Sequence, residues 1–163
     1  MDNGQGLAVE YFCGGWNCRH RWVAFSGEVV GGVAVHDSWR SKYAKASKQD
    51  RAVMDGEREL AGRLAEFGKV ELNTQRGERE GGDVDMYFEG KPTQVKIVKT
   101  DKTDAIRERL HKSKNQSDVF IFELEKDLTD EDKAFAIAKT WIEEHEGKEV
   151  YIYKKQTNMF KKL

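Results

Sequence analysis

Apolar residues first recur at helical spacing in DRAVMDGERELAGRLAEFG, where Val53, Leu60, Leu64 and Phe67 predict a helix starting near Lys48 and ending at Gly68. The short run KVELN follows as a strand, and then the breaker-rich TQRGEREGG. Val84, Met86 and Phe88 alternate with Asp83, Asp85 and Tyr87, which predicts a strand over 83–89. EGKP turns the chain into a hairpin partner over 93–99, in which Val95 and Ile97 read as buried on either side of Lys96. Ile106 and Leu110 mark a helix across 103–115, DVFIFEL an apolar strand at 118–124, and Ala134, Ala138, Trp141 and Ile142 a helix across 129–145. KEVYIYKK is the last strand.

The predicted order is therefore α-β-β-β-α-β-α-β. A strand at 118–124 returns beside the hairpin only through a crossover helix, so the expected class is α+β, a mixed sheet of about five strands packed by helices. Residues 1–46 are rich in glycine and aromatics without helical period. The expected division is an irregular N-terminal segment, 1–46, and an α+β domain, 47–163.

The 163 residues are 38% hydrophobic and 35% charged, the balance of a soluble globular chain. No apolar run approaches the ~20 residues of a membrane span, and MDNGQG shows no secretory signal, so no membrane role and a cytoplasmic location are expected. The net charge of -1 conceals segregation: Lys91 to Lys114 holds eight Lys/Arg against three acids, whereas acids dominate from Phe122 to Gly147. Segregated charge of this kind suits a polyanionic ligand.

Both cysteines lie in YFCGGWNCRHRWV. Cys13, Cys18 and His20, with His36 as a fourth, have the residue types of a zinc site but lack a second knuckle, and a disulfide is an equal alternative; reduced thiols in a small Trp-rich core are the leading expectation.

Candidate chemistry centres on Lys96. If the strands at 83–89 and 93–99 pair, Asp83 and Asp85 fall near it. In one arrangement Asp83 or Asp85, Gln94, Lys96 and a glutamate of the preceding helix, Glu57 or Glu59, form a Mg²⁺-dependent nuclease site, with Glu57, Asp83 and Asp85 as metal ligands. The acid followed by Gln94-Val95-Lys96 resembles the restriction-endonuclease-like superfamily, as its Gln-x-Lys variant. In the other arrangement no metal or cofactor is used, because RNA supplies its own 2′-hydroxyl nucleophile. Lys96 is then the cation and His111 the acid or base. Asp85 and Gln94 complete that catalytic set, and Lys99, Thr100, Arg107, Lys112 and Gln116 hold the phosphates.

The stretch from Gly81 to Leu163, with Asp85, Lys96 and Asn115-Gln116-Ser117-Asp118 as its most specific elements, resembles the toxin-type C-terminal domains of contact-dependent inhibition proteins and phage minor head proteins. Those are similar to nucleases such as barnase, EndoU, the tRNA-cutting colicins and RelE. NCRHRW at 17–22 resembles the Cys-Arg-His motif of the phage Mu-type head morphogenesis domain. The resemblance implies a phage-encoded toxin-type ribonuclease attached to a minor head protein, cytoplasmic in the host or virion-associated. Its partners would be RNA, with tRNA as one candidate, an immunity protein and phage head proteins. Gln94 stands where many relatives carry an acid, which puts the metal-free reading ahead.

A domain without chemistry remains the alternative: Asp83, Asp85 and Lys96 as an exposed cross-strand ion pair worth at most ~1 kcal/mol, and a head or interaction role. Tyr87, Phe120, Phe122, Phe135 and Trp141 are expected in the core, while Tyr151 and Tyr153 are placed to face RNA.

Overall fold

A computed structural model describes residues 27–74 and 84–163. These form eight strands and four helices of an α+β fold with mixed parallel and antiparallel pairing. Contacts divide the chain into two compact units, 1–75 with 86–90 and 76–85 with 91–163.

In the first unit, β1 (Gly27–Val30) and β2 (Val33–His36) form an antiparallel hairpin closed by Gly31 and Gly32, whose φ angles of 57° and 80° favour glycine. β2 runs parallel to β3 (Val70–Leu72), with α1 (Asp37–Lys45) and α2 (Lys48–Leu64) between them in the chain. β3 pairs antiparallel with β4 (Met86–Phe88). Ser47 caps α2 by accepting from the Asp50 N–H at 3.1 Å. The stripe that α2 buries is Met54, Leu60, Ala61 and Leu64. Val53, expected inside, is 62% exposed, because Met54, one position further round the helix, takes the buried place. Gly68 does not end the helix, which closes at Leu64. It is required by close packing instead: a Cβ there would lie 2.7 Å from Phe88 Cζ.

The second unit contains β5 (Lys91–Val98), α3 (Ala105–Ser113), β6 (Val119–Leu124), α4 (Glu131–Glu144), β7 (Glu149–Lys154) and β8 (Met159–Lys162). β5, β6 and β7 are parallel, and α3 and α4 are the two crossovers that parallel pairing demands. β8 returns antiparallel on β7. Ile106 and Leu110 of α3 and Phe135, Ala138 and Trp141 of α4 join Val98, Phe120, Phe122, Leu124, Val150 and Ile152 of the strands in one core. Both helices therefore cover one face of these strands. The strand starts are tied by polar bonds: Lys148 donates to Asp118 at 2.9 Å and to the Ser117 carbonyl at 2.7 Å. Burial alone would raise the Glu149 carboxyl, but hydrogen bonds from Lys91, Tyr151 and Lys162 overcome it and hold the group at about 2.

From α2 to β7 the order of elements is the one expected from the sequence. The structure adds β1, β2 and α1 before it and β8 after it, so the expected five strands become eight. No described helix is long and apolar enough to cross a membrane.

Candidate functional site

The face of β5 under α3 is set by its last residue. Val98 is fully buried in the core, and strand alternation puts Lys96 and Gln94 on the same side. The expected parity is reversed: Gln94 is 6% exposed, whereas Ile97, expected to be buried, is 41% exposed. Lys96 stands beside Phe122, and Gln94 beside Phe120, in the parallel register with β6.

The half-buried Lys96 ammonium is held by neutral acceptors. Its Nζ donates to Gln94 Oε1 at 3.3 Å and to Gln116 Oε1, in the turn after α3, at 3.1 Å. Among the described residues no carboxylate forms an ion pair with it. The contrast with two other shielded lysines is informative, since Lys148 is paired with Asp118, and Lys154 with Asp127 and Glu131. Shielded cations are normally matched by acids.

Asp85 supplies the nearby carboxylate. Its Oδ2 accepts from the Val95 N–H at 2.8 Å, the backbone group between Gln94 and Lys96. Gln94, Lys96 and Gln116 are thus joined through the Lys96 ammonium, and Asp85 is tied to the backbone of the same strand. By donor type the Asp85 carboxylate and the Gln94 carboxamide oxygen are ones that Mg²⁺ accepts, the latter shared with the Lys96 ammonium. A cage of three or more His, Cys, Asp or Glu side chains is absent among the described residues. Asp83 lies outside the described residues, and Glu57 is on α2 of the first unit.

The remaining candidates are spread along α3 and its approach. His111 and Lys112 are exposed in its last turn, and His111 has no hydrogen bond or ion pair among the described residues. Arg107 pairs with Asp104 in the first turn, 3.5 Å away. Thr100 accepts from the Lys102 N–H at 3.3 Å, and Lys99 is exposed just beyond β5. These last three lie at the far end from Gln116 of a nine-residue helix about 13 Å long. Tyr153 is not available for base stacking: it is 1% exposed and its hydroxyl donates to Asn158. Tyr151 stacks on Phe160 with ring centroids 5.2 Å apart. Phe120, Phe122, Phe135 and Trp141 are core residues as expected.

A chain of the solved CdiA-CT/CdiI toxin and immunity complex from Burkholderia pseudomallei matches with a TM-score of 0.55 and 13% identity, covering 73% of this chain and 89% of that one. The likeness is one of fold. No family model and no curated protein matches the sequence.

Sequence reasoning passed over a buried polar group in the first unit. Glu71 of β3, 7% exposed, is pushed up to about 7 by burial, against the hydrogen bond it accepts from Asn73 at 2.9 Å. Asn73 accepts from Ser38 at 3.1 Å, and the Ser38 N–H donates to His36 Nδ1 at 3.1 Å. Burial lowers the His36 pKa and raises that of Tyr87, which faces Glu71 across the strands. His36 thus serves as the N-cap of α1. Cys13, Cys18, His20 and the NCRHRW stretch lie outside the described residues. The only early signal for Glu71 was its place between Val70 and Leu72, which alternation alone reads as a solvent-facing position.

Proposed function

We propose that this chain is a toxin-type nuclease domain that cleaves phosphodiester bonds at the cluster of Asp85, Gln94 and Lys96. The observation that carries the reading is the Lys96 ammonium, half-buried and fixed on a strand, yet hydrogen-bonded among the described residues only to carboxamides. Its charge is left for an anionic ligand. One of its three donors is left for a phosphate oxygen, where it offsets the charge that grows as the phosphorus–oxygen bond breaks. The fold shared with a chain of a toxin and immunity complex supports a toxin role, with a neutralising immunity protein as the partner.

Asp85 and Gln94 would hold Mg²⁺, which supplies an activated water and charge neutralisation at the phosphate. The Val95 N–H orients the Asp85 carboxylate for that task. His111, exposed and without a hydrogen bond or ion pair among the described residues, gives a metal-free route no positioned acid or base. The metal-assisted reading therefore leads. Residues 17–22, which carry the resemblance to a phage head domain, lie outside the described residues, and head attachment is no part of this reading.

Purified protein incubated with tRNA and with plasmid DNA, each with Mg²⁺ or with EDTA, tests the reading beside Lys96→Ala. Cleavage that needs Mg²⁺ and disappears in the variant supports it. EDTA-resistant tRNA cleavage replaces it with the metal-free ribonuclease, and intact substrates throughout overturn both.

A further inference from the structure

Gln116 is exposed, and an exposed glutamine gives up rotamer freedom when its side chain is held in one hydrogen bond. Holding it against Lys96 requires a stiff mount. The Gln116 N–H donates to the Ser113 carbonyl at 2.8 Å, closing the turn after α3. The neighbouring Ser117 hydroxyl donates to the Pro92 carbonyl at 2.6 Å, and the Ser117 carbonyl accepts from Lys148 at 2.7 Å. Pro92 is on β5, the strand of Lys96. A closed ring therefore runs from Pro92 along β5 to Lys96, across to Gln116, and back through Ser117 to Pro92. The ring fixes the distance between the two side chains.

The chemistry of the contact is specific. An ammonium only donates, so Gln116 must present its carbonyl oxygen, which leaves the two amide N–H donors of Nε2 turned to other partners. Among the described residues these donors have no protein acceptor. A carboxylate at the same place would neutralise Lys96 and repel an anion. The carboxamide holds the cation while preserving its charge, and adds donors of its own beside it.

We propose that Gln116 is a positioning residue for Lys96, and that the two side chains together form the seat for a non-bridging oxygen pair of the scissile phosphate. The inference rests on the nuclease reading and assigns within it a residue that acts by positioning Lys96 and through its own amide donors.

The test uses the full chain and whichever of tRNA or plasmid DNA the wild type cleaves, comparing Gln116→Ala, Gln116→Glu and Lys96→Ala by steady-state kinetics and thermal melting. Gln116→Ala is expected to lower kcat about tenfold to hundredfold with KM changed less than about twofold. Gln116→Glu is expected to fall further, towards Lys96→Ala, with melting unchanged in both. A second readout needs no activity: the ¹⁵Nζ ammonium signal of Lys96, slowed in hydrogen exchange in the wild type, broadens in Gln116→Ala. If both Gln116 variants cleave like the wild type while Lys96→Ala is inactive, the inference is overturned and the nuclease reading stands. An unchanged Lys96 signal in Gln116→Ala also overturns it. If the wild type cleaves neither substrate, the nuclease reading falls and takes the inference with it.

Discussion

The backbone N–H of Val95 donates to the carboxylate of Asp85 at 2.8 Å, fastening the cluster's only described acid to the strand that carries Gln94 and Lys96. Charge and hydrogen-bond acceptance can be separated at this position. Asp85→Asn retains an acceptor for the Val95 N–H, so its urea midpoint is expected to stay near that of the wild type while cleavage drops at least about a hundredfold. Asp85→Ala is expected to lose cleavage equally and about 1–2 kcal/mol of stability as well, because the N–H loses its partner. Equal activity of Asp85→Asn and the wild type would remove the carboxylate from the mechanism.

Lys96→Met keeps the aliphatic stem against the strand and leaves no carboxylate orphaned, so its stability is expected within about 1 kcal/mol of the wild type. Cleavage is expected to fall by about a hundredfold to a thousandfold, the scale of losing a donor aimed at developing charge. Urea melts beside initial rates check both halves, and a large loss of stability would mark Lys96 as a structural residue.

Chelation gives the third prediction. A single carboxylate and a carboxamide oxygen make a weak cation site, so dialysis against EDTA is expected to abolish cleavage and millimolar Mg²⁺ to restore it, with the melting temperature little changed. A melting temperature that collapses on chelation would instead mean a structural metal.

Much of the second unit was legible because its pattern is driven by burial. Phe120, Phe122, Leu124, Ile106, Leu110 and Trp141 sit in the core at the spacings their elements require. The parts that were missed have weak patterns for physical reasons. β1 is exposed along its length and β8 nearly so, and edge strands gain their order from the neighbour they pair with rather than from alternation. α1 buries only Trp39, so it carries no apolar stripe to read. At the site, Asp85, Gln94 and Lys96 were identifiable by residue type. The side of β5 that Gln94 and Lys96 occupy was not, because QVKIV has apolar residues on both parities and the covering helix decides which side is inside.

The first unit titrates through Glu71. Burial raises its folded pKa to about 7 from an ordinary value near 4.5, so between those pH values the native state keeps a proton that the unfolded chain has released. Stability is therefore expected to decline as pH rises through this window and to level off above it, by at most about 3 kcal/mol. Glu71→Gln keeps an acceptor for Asn73 without the ionisation and is expected to flatten the decline. Urea unfolding at pH 5, 7 and 8.5 for both proteins is the check, and an identical slope in the variant would assign the decline to another group.

Trp39 and Trp141, one buried in each unit, both have an indole N–H with no hydrogen-bond partner among the described residues. Exchanging either for phenylalanine therefore sacrifices ring area but no hydrogen bond. The chain has four tryptophans, so in a background where Trp16 and Trp22 are phenylalanine the emission lost in Trp39→Phe reports on one unit and that lost in Trp141→Phe on the other. Superimposed or displaced fluorescence transitions of the two variants then reveal whether the units melt as one cooperative body or in succession.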